Sequence, residues 1–293
     1  MTCKLCGSKG CKNLHKTVRG SEKARVYYCE SCDYAFLVDI DIDASFYEQE
    51  FDTFMAERAG DASWENSNEH FEQRMTDARH RVQQLKEWVD FAKIGSVLEL
   101  GSSSGFLLKA LEEEYPHLKL SGIEPSERHR QYANKIGLNT HSSLEALDHQ
   151  TFDLILSYFV LEHILEPKEW ISELKKYANN NAYFIAIVPN LNEALVKVYE
   201  DKNYDKFVWQ LPHVSYFSEM SLKLLLDSTL GNSDIHHLQR YTLSNHLNWL
   251  SGIKPKKSIE YPHITSATNL EYKQSMERHK IGDTLAGVTN IVF

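Results

Sequence analysis

The chain has 293 residues, 42% hydrophobic and 25% charged, with 13 Gly, 7 Pro and a formal net charge of -9. These proportions leave room for a full core and exclude collagen-like, disordered and disulfide-scaffold chains. No stretch approaches the roughly 18–20 apolar residues of a membrane helix. The longest apolar run, Ala182 to Val188, has the length of a strand, and Met1-Thr2-Cys3-Lys4 opens no apolar leader, so a cytoplasmic protein is expected.

Charge is uneven along the chain. Residues 1–36 carry seven Lys or Arg against three Asp or Glu, a net of +4, which leaves -13 on the remainder. A body that acidic repels a phosphate backbone at long range, so nucleic acid is not the expected substrate. All five cysteines lie in the same basic segment. Cys3 and Cys6 form one C-x-x-C knuckle, Cys29 and Cys32 a second. Two residues between thiolates allow a tight turn that brings both sulfurs to one metal, and two such turns complete a tetrahedron. Four thiolates close the coordination sphere, so the expected metal is a structural zinc ion. Val26-Tyr27-Tyr28 reads as a strand leading into the second knuckle, and Cys11 and His15 are spare candidate ligands. A segment this short has too little core to fold alone, so metal binding would supply part of its folding free energy.

Residues 39–69 are rich in acids and aromatics, including Phe46-Tyr47-Glu48-Gln49-Glu50-Phe51, and read as a linker with an aromatic lid. From His70 to Ala92, Phe71, Met75, Ala78, Val82, Leu85, Val89 and Ala92 recur at steps of three and four, the spacing of one helix face. Val97-Leu98-Glu99-Leu100 then reads as a buried strand, Gly101-Ser102-Ser103-Ser104-Gly105 as a turn, and Phe106-Leu107-Leu108 as a helix start. Glycines in such a turn let backbone approach a ligand closely. Leu120-Ser121-Gly122-Ile123 is a second strand. It ends in Glu124, where a carboxylate can accept from both ribose hydroxyls of a nucleoside, with Pro125 and Ser126 behind it. Strands at 152–158 and 182–188 continue the alternation, the βαβ rhythm of a parallel sheet covered on both faces. Two further strands are expected near Tyr241 and at 287–292.

Glu99-Leu-Gly-Ser-Ser-Ser-Gly105, Gly122-Ile-Glu-Pro-Ser126, Phe152-Asp-Leu-Ile-Leu-Ser157, Leu161-Glu-His-Ile-Leu-Glu-Pro167 and Ile187-Val-Pro-Asn190 together resemble the class I S-adenosylmethionine-dependent methyltransferases. The resemblance runs from about residue 65 onward. It implies an α/β fold: a Rossmann-like seven-stranded sheet with helices on both faces, here preceded by a small zinc ribbon. The dinucleotide fingerprint G-x-G-x-x-G fits the turn less well, because Ser103 stands at its middle glycine. The resemblance implies S-adenosylmethionine as cofactor, with Glu99 and Gly101 at its methionine end, Glu124 on the ribose, Ser143 and Leu144 against adenine, and Ser157 and Tyr158 beside the sulfonium. Ser103 and Gly105 complete the turn, and Ser126 follows the ribose carboxylate. The cysteine pattern with Phe46-Tyr-Glu-Gln-Glu-Phe51 is similar to the front end of certain sugar-modifying methyltransferases, although Asp33 stands where glycine is commoner. Some of those methylate carbon; they tend to be longer than this chain, which turns the expectation toward a hydroxyl.

The domain expectation is a zinc ribbon at 1–38, the linker and lid at 39–69, and a methyltransferase domain at 70–293 with acceptor-side insertions at about 191–217 and 241–282. The expected activity is methyl transfer to a small polar acceptor, a sugar or glycan-precursor hydroxyl in polysaccharide biosynthesis. An alcohol acceptor must lose its proton near the transition state, so a histidine base helps. His163, just after the 152–158 strand, and His213, in the loop before a helix starting near Ser218, are the candidates. Two other readings stand beside this one: an RNA methyltransferase docked by its basic zinc ribbon, and a cofactor-binding scaffold without catalysis.

Overall fold

The computed structural model of the chain describes residues 1–14, 16–42, 46, 68–255 and 257–293. The linker and lid expected at 39–69 lie for the most part outside the described residues, as does His15.

The first strands are β1 (Lys12–Asn13), β2 (Arg25–Cys29) and β3 (Tyr34–Val38). Helix α1 (Asn68–Leu85) leads to β4 (Ser96–Leu100), α2 (Phe106–Glu114), β5 (Lys119–Ile123), α3 (Glu127–Lys135), β6 (Thr140–His141) and β7 (Phe152–Tyr158). Then come α4 (Pro167–Leu174), β8 (Ala178–Pro189), α5 (Ala194–Lys197), α6 (Lys202–Val208), β9 (Ser215–Phe217), α7 (Glu219–Thr229), β10 (Ser233–Leu238), α8 (Leu243–Leu250), α9 (Ser266–Arg278) and β11 (Thr284–Asn290). A seven-stranded sheet has the order β10-β11-β8-β7-β4-β5-β6, and a four-stranded sheet the order β1-β2-β3-β9. β4 runs parallel to β5 and β7, and β5 to β6, while β10 and β11 are antiparallel. The large sheet is therefore mixed, and its parallel part carries the βαβ rhythm of the sequence.

The chain divides into two compact units. One comprises Met1–Ile40, Phe159–Ser172 and Ala186–Thr289; the other comprises Asp41–Tyr158, Glu173–Ile185 and Asn290–Phe293.

In the unit that contains β4 to β7, the strands are buried through Val97, Leu98, Leu100, Leu154, Ile155 and Leu156. Met75, Ala78, Val82 and Leu85 form the buried stripe of α1. The helix stops at Leu85, short of the Ala92 that the spacing predicts. Asp90 is the reason: its side chain accepts from the Ala92 amide and starts a separate 3-10 turn at Phe91–Lys93, which leaves Ala92 exposed.

In the unit that contains the cysteines, β2 and β3 form a hairpin with Arg25 opposite Val38 and Cys29 opposite Tyr34. Its buried face does not close on itself. Val18, Val26 and Leu37 pack in one cluster with Leu191, Trp209 and Tyr216. β3 also pairs with β9, Tyr34 opposite Phe217. Ser218 then caps α7 through a capping box with Ser221. The strand expected near Tyr241 lies earlier, at Ser233–Leu238, and its partner at Thr284–Asn290. The Asp283 carboxylate accepts from the Arg240 and Tyr241 amides, which draws the chain off the ladder as soon as β10 ends.

Candidate functional site

The turn after β4 is built from left-handed residues at alternate positions: Gly101 (φ 63), Ser103 (φ 49) and Gly105 (φ 80). Glycine enters this region freely; Ser103 enters it against a steric penalty. Its amide finds a compensating partner, donating to Glu124 Oε2 at 2.7 Å. The Ser126 amide donates to Glu124 Oε1 at 2.8 Å, and the Glu124 amide donates to the His141 carbonyl at 2.9 Å. Glu124 thus ties together the glycine-serine turn, the tip of β5 and the end of β6. Gly122 makes this approach tight, because a Cβ there would lie 2.5 Å from Ser102 Oγ and 2.9 Å from Thr140 Cγ2. Arg130 locks the strand end by donating to the Glu124 and Pro125 carbonyls.

Around this knot lie buried polar atoms without a hydrogen-bond partner among the described residues: Glu99 Oε2, Ser102 Oγ, Ser157 Oγ and Tyr158 OH. Glu99 and Ser157 lie on adjacent strands, since Leu100 stands opposite Ser157 in the β4–β7 ladder. Unpartnered buried polar atoms are costly unless a ligand or water meets them. Burial pushes Glu99 up to about 8, against a pull downward from Arg81 and with a further push from Glu124. Burial also pushes the Tyr158 hydroxyl upward; the Arg81 guanidinium lies 5.3 Å from the centre of its ring. Ser143 starts a 3-10 turn at Leu144–Leu147, two residues beyond β6 and at the same end of the sheet as Glu124. The cofactor-side residues read from the sequence therefore all stand at the carboxyl ends of β4 to β7, where open α/β sheets bind ligands. Their donor set fits a nucleoside with a charged amino-acid tail: a strand-end carboxylate, a close backbone turn and a buried second carboxyl.

The two candidate histidines belong to the other unit and come together there. The His163 and His213 rings meet edge to face with centres 5.0 Å apart. His163 Nδ1 lies 2.7 Å from the Pro212 carbonyl, so Nδ1 is the protonated nitrogen. Burial brings His163 down to about 4, and it stays neutral in neutral solution. His213 Nε2 lies 2.8 Å from the Gln210 amide nitrogen, and the oxygen of that amide accepts from Arg19. Glu162 joins the pair, since one ligand atom from each of Glu162, His163 and His213 lies within 4.8 Å of the others. Both Glu162 carboxyl oxygens are buried without a hydrogen-bond partner among the described residues, and burial pushes the group up to about 8. The sequence singled out neither Glu162 nor Gln210. Glu162 was visible as the residue before His163, but nothing local ties it to a histidine some fifty residues later.

The third cluster is Cys3, Cys6, Cys29 and Cys32, whose sulfurs lie within 4.8 Å of one another. Cys3 and Cys32 are 3.7 Å apart, Cys6 and Cys29 3.6 Å. Sulfurs about 2.3 Å from one ion at tetrahedral corners stand roughly 3.8 Å apart, so the donor set fits zinc. Gly7 (φ 73) and Asp33 (φ 52) turn the chain after each knuckle, which accounts for glycine being commoner at position 33. Cys11 stands outside the four, and burial pushes its thiol upward.

A mixed seven-stranded sheet with a glycine-rich turn after β4 and a carboxylate at the tip of β5 defines a class I S-adenosylmethionine-dependent methyltransferase. The sequence comparison agrees: the family described as "Methyltransferase domain" matches residues 68–229, more than half of the chain, and the chain belongs to that family. No curated protein matches it in sequence. Among solved structures, a SAM-dependent methyltransferase from Thermotoga maritima is 17% identical, with 82% of this chain and 98% of that chain covered and a TM-score of 0.50. A SAM-dependent methyltransferase from Archaeoglobus fulgidus is 15% identical over 74% of this chain and 94% of that chain, with a TM-score of 0.49. The plantazolicin methyltransferase BpumL, in complex with SAH and a monoazolic desmethylPZN analog, is 14% identical over 85% and 94%, with a TM-score of 0.49. At 17% identity the likeness to the Thermotoga maritima structure establishes the fold alone. Among the described residues no helix is long and apolar enough to cross a membrane.

Proposed function

We propose that this methyltransferase acts on a hydroxyl of a small polar acceptor of the sugar class, as a cytoplasmic step in making a glycan precursor or polysaccharide. The observation that carries the reading is the group of buried Glu162 with half-buried His163 and His213. An unpartnered carboxyl beside two imidazoles suits a polar oxygen with a proton to lose. His213 takes that proton, and His163 holds the hydroxyl as a neutral imidazole. S-adenosylmethionine supplies an electrophilic methyl group on a sulfonium. The chain's part is to hold it: Glu124 on the ribose hydroxyls, Glu99 and Gly101 at the methionine end, and Ser103, Gly105 and Ser126 by close backbone approach. Ser143 and Leu144 line adenine, and Ser157 and Tyr158 stand beside the sulfonium. Residues 1–38 form a ribbon on a structural zinc ion, and 70–293 form the transferase with its acceptor-side insertions.

The basic segment argues against RNA. Lys4 pairs with Glu166, Lys12 with Glu30 and Lys16 with Asp205, while Arg19 donates to Gln210 and Arg25 to the Glu22, Lys23 and Ala24 carbonyls. Cations already held by this chain's own groups release fewer counterions on meeting a phosphate backbone. The test is formation of S-adenosylhomocysteine with a panel of nucleotide-linked sugars. Turnover is expected with at least one sugar, and His213→Ala should lower its rate by about 10²–10⁴-fold while leaving cofactor affinity in place. Turnover confined to RNA, with steeply salt-dependent binding, would contradict the reading.

A further inference from the structure

We propose that Glu162, His163 and His213 form a binding site for one divalent transition-metal cation, separate from the cysteine cluster. Three donors of the kinds such ions prefer, one carboxylate and two imidazoles, already lie within 4.8 Å of one another. Two nitrogens and an oxygen suit zinc, iron(II) or manganese better than magnesium or calcium, which favour all-oxygen sites.

Two further observations point to a ligand. Glu162 is 1% exposed, and neither carboxyl oxygen has a hydrogen-bond partner among the described residues. A buried carboxyl left open at both oxygens calls for an ion or a water to complete it. His163 is also set as metal-bound histidines are. Its Nδ1 donates to the Pro212 carbonyl at 2.7 Å, which leaves Nε2 with the lone pair that ligation requires. On His213, Gln210 lies 2.8 Å from Nε2, and the proposal assigns Nδ1 to the cation. Ligation there needs Nε2 to carry the proton. A half-turn of the Gln210 amide lets its oxygen accept that proton, giving up the bond from Arg19.

Three protein ligands leave positions open, as in catalytic rather than structural metal sites. The natural occupant is an oxygen of the acceptor, whose hydroxyl proton is then lost more readily to water. This role rests on the hydroxyl reading above and gives the acceptor's proton to water in place of His213, which then serves as a ligand; binding of the cation stands on the three donors alone.

Cobalt(II) titration of the full-length protein tests it. Two equivalents are expected. One gives thiolate charge-transfer bands from the four cysteines, and the other gives only weak d–d bands. In Glu162→Gln and His213→Gln the second equivalent should weaken at least about tenfold or vanish, while the thiolate bands, far-UV circular dichroism and S-adenosylmethionine affinity persist. A single equivalent in the native sequence, or a second one equally tight in both variants, overturns the proposal. X-ray absorption on the second equivalent in the native protein gives an answer that does not depend on variant folding: imidazole and oxygen neighbours support the site, and their absence rejects it. Failure of methyl transfer to sugars with the second equivalent intact would count against the acceptor reading and leave the site standing.

Discussion

Burial holds Glu99 at about 8, so its carboxyl is protonated in neutral solution although its ordinary value is 4.5. If Glu99 meets the positive amino group of S-adenosylmethionine, binding must ionise it and release a proton. Affinity should then rise with pH, approaching tenfold per unit below about 8, and level off above it. Calorimetry across pH 6–9 checks this, and Glu99→Gln should flatten the profile. A flat profile in the native protein would remove Glu99 from the methionine end. Both oxygens of the Glu124 carboxylate accept hydrogen bonds, from the Ser103 and Ser126 amides. Both positions were legible in the sequence: Glu99 stands one residue before the end of β4 and Glu124 directly after β5. Arg81 was not legible: it sits on α1, one helix away from the Glu99 it influences.

At the scale of elements, the cysteine hairpin is bound into the chain by β9. Tyr34 Oη meets Ser215 Oγ at 2.6 Å, Leu37 donates to the Val214 carbonyl, and Arg19 exchanges backbone hydrogen bonds with Trp209 and Leu211. The segment so held, residues 209–217, carries His213. Disrupting the cysteine cluster by Cys3→Ser or by chelation should therefore raise amide exchange in β2, β3 and residues 209–217 and leave β4, β5 and β7 protected. Unchanged exchange at 209–217 would mean that the ribbon does not support the histidine loop. Sequence patterns read the strands and the glycine-rich turn because both are local. They overran α1, where one Asp90 side chain redirects the backbone, and they misplaced β10, whose end is set by Asp283 more than forty residues away. They could not show that β3 pairs with β9 across some 180 residues.

Across the whole molecule, Glu99, Glu162 and Glu193 are each pushed up by burial to about 8 from 4.5. A carboxyl raised in the folded state contributes stability that is full below its unfolded value and lost as pH rises through the folded one. His163 and His246 are both brought down to about 4 from 6.5 and act in the opposite sense, but only below 6.5. Between pH 6.5 and 8 the carboxyls are opposed by the Cys3 thiol, brought down to about 5 from 9.0 chiefly by its hydrogen bond with Cys32. The melting temperature should therefore fall across that window in Cys3→Ser, which removes the opposing group. A rising or flat curve would show that these groups are not buried as described. The central claim is narrower: Glu124 holds the ribose of S-adenosylmethionine beside the Gly101 turn. Isothermal titration of the cofactor into the native protein and Glu124→Gln tests it most directly. Loss of a charge-assisted hydrogen bond, about 1.5–3 kcal/mol, should weaken binding roughly 10- to 100-fold. Equal affinity in the two proteins would contradict the account.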